Sequence, residues 1–105
     1  MPIPPKAVQN AAQRAIDARN SVPPSRKAGT AVGVKRAADL ARGANISVNT
    51  LVRMRSYLLR AKKNYLDARD AGLKITESKA YMAYYLWGGP AALTWVNSEL
   101  AKLKP

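Results

Sequence analysis

Between Arg53 and Lys63 the chain places Arg53, Arg55, Arg60, Lys62 and Lys63, with no acid among them. Side chains of that type at that density do one kind of chemistry. They hold phosphates or another polyanion and displace its counterions. Little else in the sequence reacts. Cysteine and histidine are both absent, which removes thiolate ligands, a sulfur nucleophile, a disulfide framework, the usual general base and the commonest metal ligand. The carboxylates are Asp17, Asp39, Asp67, Asp70, Glu77 and Glu99. Only Asp67 and Asp70 are close in sequence. They lie among basic residues near an expected helix end, where carboxylates are ordinarily solvated surface. The expectation is a non-catalytic protein with no catalytic residue, no metal and no cofactor.

A second cationic stretch is Arg26-Lys27-Ala28-Gly29-Thr30-Ala31-Val32-Gly33, followed by Lys35 and Arg36. Backbone amides that follow a glycine at the start of a helix can hold a phosphate. No Gly-Lys-Ser/Thr follows, so this is no nucleotide-hydrolysing loop. Eighteen Lys and Arg against six acids give a net charge of +12 on 105 residues. That balance suits nucleic acid or an anionic membrane. Residues 1–79 hold 16 of the 18 cations, whereas residues 80–98 hold no charge at all.

The elements that must position these cations read as helices. The apolar fraction of 48% is rich in alanine, phenylalanine is absent, and β-branched runs are few. The composition predicts an all-α fold, a single compact domain of about five helices. Residues 1–4 form an extended N-terminal arm, 5–79 a basic helical part and 80–105 an apolar, aromatic C-terminal helical hairpin. The opening Met1-Pro2-Ile3-Pro4-Pro5 has no signal-peptide core, so a cytoplasmic product is expected. Pro5 opens a first helix along Val8, Ala11, Ala12, Ala15 and Ile16 to about Asn20. After the Pro23-Pro24 loop, Thr30 caps a second helix with a stripe of Val34, Ala37, Ala38 and Ala41, stopped by Gly43. Ser47 caps a long third helix that runs to about Ala71. A fourth opens at Thr76 or Glu77, and a fifth follows Gly88-Gly89 with Leu93, Val96, Leu100 and Leu103 on one side. The uncharged stretch is broken by Gly88-Gly89-Pro90 and diluted by tyrosines, so no membrane span is expected.

Two features sharpen the cationic reading. Leu40-Ala41, Ile46-Ser47, Thr50-Leu51 and Arg53 follow the spacing of a helix-turn-helix unit, though the glycine comes early, at Gly43. In that reading Ser47 caps the recognition helix and Val48, Asn49, Thr50 and Arg53 face a groove or its phosphates, with Ser47, Asn49 and Thr50 as candidate polar contacts. The other feature is Arg55, Lys62 and Arg69, which fall seven apart, close to the middle of the apolar arc of Leu51, Leu58, Tyr65 and Leu66. Burying three unpaired cations is untenable. The expectation is that the far half of the helix leaves the core and is cationic all round, with some stems lying along apolar surface. A twin helix could pair through Leu51, Leu58 and Tyr65 as a homo-oligomer. Tyr81, Tyr84, Tyr85, Trp87 and Trp95 read as core rather than as a base-stacking platform.

Gly29-Thr30-Ala31-Val32-Gly33 with Arg36, Ser47-x-x-Thr50, Arg53-Met54-x-Ser56-Tyr57, Leu86-Trp87-Gly88-Gly89 and Trp95 occur here in one order. Over roughly residues 5–96 the chain resembles a small helical module of tailed bacteriophages and prophages, sometimes fused to head-morphogenesis proteins. It departs from that module at Leu59-Arg60-Ala61-Lys62-Lys63, where a histidine and an acid are usual, and at Pro90, where an aspartate is common. The resemblance implies a phage origin, in the host cytoplasm or packaged in the virion, and supplies no activity. The residues themselves point to nucleic acid, DNA before RNA and double-stranded before single. The expected contacts are Arg26, Lys27, Lys35, Arg36, Ser47, Asn49, Thr50, Arg53, Arg60, Lys62 and Lys63. The rival expectation is a virion or host-interaction protein whose basic face meets an acidic phage or host protein.

Overall fold

The computed structural model describes residues 2–103, and they form five α-helices with no strand. Helix α1 spans Lys6–Asn20, α2 Ala31–Ala41, α3 Val48–Asp70, α4 Lys79–Leu86 and α5 Gly89–Ala101, with single 3-10 turns at Pro24–Arg26 and Ile75–Glu77. The all-α expectation holds, and the starts follow from local chemistry. Thr30, Ser47 and Ser78 each accept a hydrogen bond from the backbone amide three residues on, the interaction that makes these side chains favourable caps.

The short helix α4 is the hub. It touches each of the other four helices, while α1 packs chiefly on α2 and α4, and α3 on α4 and α5. Val8, Leu40, Leu51, Met54, Leu58, Tyr84 and Val96 fill one cluster. Ala15, Ala37, Met82 and Leu86 fill a second, under the loop at Ala28. Tyr81, Tyr85 and Trp87 pack against both, so the two clusters belong to one folding unit. The alanines of α1 let α2 and α4 approach closely, since a methyl side chain keeps the helices near the minimum separation.

Several expectations are refined here. The extended arm is tied down: Pro4 is buried, the Pro2 carbonyl accepts from the Ile46 amide at 2.9 Å, and Gln9 donates to the Pro4 carbonyl. The buried line of α2 is Gly33, Ala37 and Leu40, and Ala38 is exposed. Helices α4 and α5 follow one another as a hairpin in the chain, yet each packs more on α1 or α3 than on the other. On α5, Val96 is buried and Leu93 and Leu100 are half-buried, while Leu103 lies beyond the helix end and is 58% exposed. No helix among the described residues is long and apolar enough to cross a membrane.

The largest correction concerns α3. Its buried line is Leu51, Met54, Leu58, Tyr65 and Ala68. At 3.6 residues per turn that line is centred roughly 50° from Leu51, on the side away from Leu66. Arg55, Lys62 and Arg69 therefore stand at the border of the buried arc, and all three are exposed. Nor does the far half of the helix leave the core. Tyr65 is only 3% exposed because it stacks on Tyr84 at 4.5 Å and meets the edge of Tyr81 at 5.3 Å. The seam proposed for a twin helix is also spent, since Leu51, Leu58 and Tyr65 are buried within the same chain.

Candidate nucleic-acid interface

The helix-turn-helix spacing gives the expected local chemistry without the expected packing. Leu40 and Ile46 are buried. Ser47 Oγ accepts from the Thr50 amide and donates to Thr50 Oγ1 at 3.0 Å. Helices α2 and α3, however, share at most marginal contact, because α2 is held by α1 and α4 while α3 lies across α4 and α5. The hydroxyls of Ser47 and Thr50 are engaged with each other, which leaves Asn49 and Arg53 as the exposed polar residues at this end of α3.

The residues that do come together surround an open cleft of about 650 Å³ between the loop before α2, the middle of α3 and the start of α4. Lys27, Arg60 and Lys79 supply its charge, and Tyr57 and Trp87 supply its aromatic wall. The two rings stack at 4.6 Å with 18° between their planes, an arrangement that adds to the area they bury. Arg60 lies over the Tyr57 ring at 5.8 Å and Arg36 over Trp87 at 5.9 Å, so cations flank the stacked pair. Burial pushes the Tyr57 phenol above its usual range, against the opposing charge of Arg60. Gly33 leaves room for the indole, whose Nε1 would lie 3.3 Å from a Cβ at that position.

The N-terminus of α2 borders the same cleft through Gly29 and Thr30, bringing the positive end of the helix dipole toward it. Arg26 continues the cationic surface through a neighbouring cleft of about 410 Å³ that also includes Lys79 and Glu77. Glu77 is the acid in this region, and its carboxylate accepts from the Lys74 amide at 2.8 Å.

The other expected contacts divide by what holds them. Lys27 is half-buried and its ammonium donates to the Arg19 carbonyl, closing the end of α1. Lys35, Arg36 and Arg42 converge on Asp39, at 3.2, 3.8 and 2.9 Å. Burial opposes ionisation of Asp39, but hydrogen bonds from Arg42 and Lys35 and their charges together hold its carboxyl below the usual range. The Arg36 side chain is only 14% exposed and its Nε is buried without a hydrogen-bond partner. Arg36 is thus a strut between Asp39 and Trp87 rather than a free surface charge. Lys63 pairs with Asp67 at 2.9 Å and Arg69 with Asp70 at 3.1 Å, which also accounts for the two neighbouring carboxylates. Lys62 stands on the opposite flank of α3 from the cleft, beside Leu66 and Leu93. Arg26, Arg53, Arg60 and Lys79 are exposed and make no ion pair among the described residues.

Lys79, Tyr57 and Trp87 were not expected at the interface. Tyr57 stands three before Arg60, a spacing that places both on one helix face, and this was a usable signal. Nothing in the sequence ties Lys79 to Arg60. The aromatic residues otherwise follow expectation, with Tyr65 and Tyr84 buried and Tyr81, Tyr85 and Trp95 packed on the core. No protein-family model, curated protein or solved structure matches this chain.

Proposed function

We propose that the chain is a non-catalytic nucleic-acid-binding protein of phage origin, with double-stranded DNA as its ligand. The observation that supports this reading is the run of unpaired cations. Arg26, Arg60 and Lys79 border adjoining clefts, and Arg53 extends the line along the exposed back of α3. In a protein of net charge +12, cations free of protein carboxylates are the ones able to replace counterions on a phosphate backbone. The α2 N-terminus, with Lys27 beside it, adds a fixed positive end to that line. Helix α3 is about 34 Å long at 1.5 Å per residue, and B-DNA's major groove admits a helix of that kind. The Tyr57–Trp87 pair holds the clefts in shape, and its rings are already stacked on each other.

The test is fluorescence anisotropy of a labelled random-sequence duplex over a salt series. The wild type is run beside the Arg26→Ala, Arg53→Ala, Arg60→Ala, Lys79→Ala quadruple variant. Each phosphate contact contributes about 0.9 to the slope of log affinity against log salt, so loss of four contacts should flatten that slope by about 3.6. A single-stranded oligonucleotide and an RNA duplex run as competitors rank the ligand classes. Absence of duplex binding at low salt, or an unchanged slope in the variant, defeats the proposal.

A further inference from the structure

The flank of α3 away from the cleft presents Val52, Arg55, Leu59, Lys62, Leu66 and Arg69, spaced three, four, three, four and three apart, with Val48 one turn before them. That alternation is a heptad seam. Val48, Val52 and Leu59 are 43%, 49% and 48% exposed, so three of the large exposed apolar side chains of this chain stand in one line rather than scattered. Clustering of that kind marks an interaction surface. The line is centred off the core, because Tyr65 and Ala68 point α3 into the protein along a different arc, and only Leu66, half-buried, packs inward against it. It runs beside α5, and two clefts open along the α3–α5 seam. One of about 250 Å³ includes Lys62, Leu66, Arg69 and Leu93, and one of about 310 Å³ includes Arg55, Asn97 and Leu100.

We infer that this seam is the docking site for an acidic amphipathic helix of a partner protein. Charge decides the occupant. One heptad position carries Val52 and Leu59, which are exposed and want an apolar partner, with the half-buried Leu66 at its end. The other carries Arg55 and Lys62, which make no ion pair among the described residues and want carboxylates about 10 Å apart along the partner, the rise of seven helical residues. They are followed by Arg69, which Asp70 already pairs. Arg55 is held out along the seam by donating to Asn97 Oδ1 at 2.8 Å, a neutral acceptor that leaves its charge available. A second copy of the chain would set Arg55, Lys62 and Arg69 against the same cations and be repelled. A phosphate backbone would satisfy the cations but gives the valines and leucines nothing to bury against. Helix-in-groove recognition uses both halves of the pattern.

This inference is independent of the DNA reading, since Arg53 and Arg60 lie on the other side of the helix. The probe is a labelled peptide of three heptads with Leu at the two seam positions and Glu at the flanking ones, titrated with the full chain. A Lys-for-Glu version and a scrambled acidic peptide of equal composition serve as controls. The Leu/Glu peptide should bind, and neither control should. Val52→Ser with Leu59→Ser should weaken binding at least about tenfold, whereas Arg26→Ala with Lys79→Ala should leave it unchanged. Arg55→Glu with Lys62→Glu should reverse the preference toward the Lys peptide. All substituted positions are exposed, and far-ultraviolet circular dichroism checks that each variant is folded. Equal binding of the scrambled peptide would reduce the seam to bulk charge attraction and overturn the inference. It is also overturned if Val52→Ser with Leu59→Ser abolishes self-association in sedimentation, binding to anionic phospholipid vesicles, or binding to duplex DNA, each of which would assign the seam to another occupant.

Discussion

Replacing Gly88 by alanine should be among the most damaging single-methyl changes this protein can suffer, and Gly72→Ala supplies its control. Both glycines have positive φ, +100° at Gly88 and +78° at Gly72. An L side chain in that region costs about 1–2 kcal/mol, partly offset by about 0.4–1 kcal/mol because alanine restricts the unfolded chain. They differ in what surrounds them. A Cβ at Gly88 would stand 2.6 Å from Ala92 Cβ and 2.9 Å from Val8 Cγ1, with Leu40 Cδ1 at 3.6 Å, whereas a Cβ at Gly72 meets nothing within 4 Å. Neither close neighbour is the free end of a long side chain, so relief requires α5 or α1 to shift. Overpacking of this kind costs about 1–3 kcal/mol. The expected loss is therefore about 2–4 kcal/mol for Gly88→Ala and about 1 kcal/mol or less for Gly72→Ala. Urea denaturation followed by circular dichroism reads both. At about 4–8 °C per kcal/mol for a domain near this size, the melting temperatures should separate clearly. Because Gly88 follows Trp87, the Gly88 variant should also disturb the Tyr57–Trp87 stack and so change the tryptophan emission of the free protein. If the two variants fall within about 0.5 kcal/mol of each other, smaller than any overpacking estimate, the packing at the α4–α5 junction is not as described.

Asp39→Asn should destabilise the fold by about 1–2 kcal/mol, because Arg36 would keep its buried guanidinium and lose its carboxylate; thermal melts of the pair of proteins check this. Since the folded Asp39 carboxyl lies below the usual aspartate range, its contribution is present above the unfolded-state pKa and is lost as pH falls through the folded pKa. The melt difference should shrink in acid. Burial raises Tyr57, Tyr84 and Tyr85 above 10.0, so the unfolded state releases phenolic protons first. Stability from these groups is complete below pH 10 and is lost as pH rises beyond it, and native tyrosinate absorbance should lag that of the urea-unfolded chain. In a Trp95→Phe protein, Trp87 is the sole tryptophan, and duplex DNA should quench it in proportion to occupancy; an unresponsive Trp87 during saturating binding would move the ligand off the cleft.

The helices were legible because their signals are local. Thr30 and Ser47 cap where a hydroxyl reaches an amide three residues on, Gly88-Gly89 marks the break between α4 and α5, and alanine spacing marks the buried side of α1. The cationic character and the absence of cysteine and histidine were equally plain, since both are properties of composition. Which cations are free was not legible. Lys35 and Arg36 read like surface charges until Asp39 is seen to gather them with Arg42. Ser47 and Thr50 read like groove contacts until their hydroxyls are seen to bond each other.

The same division holds for α3. Its sequence alone determined a long helix with apolar and cationic lines seven residues apart, because periodicity is set by 3.6 residues per turn. It did not determine which line meets the core, because Leu51 and Leu66 extend the apolar arc over more than one neighbour can cover. That choice was made by the tyrosines of α4, which close on Tyr65 from another part of the chain. Their closure turns Leu59 and Lys62 outward, buries the seam that a twin helix would have used, and brings Lys79 across to Arg60. Contacts between segments distant in sequence are decided by how whole surfaces fit, and only the tertiary structure contains that fit.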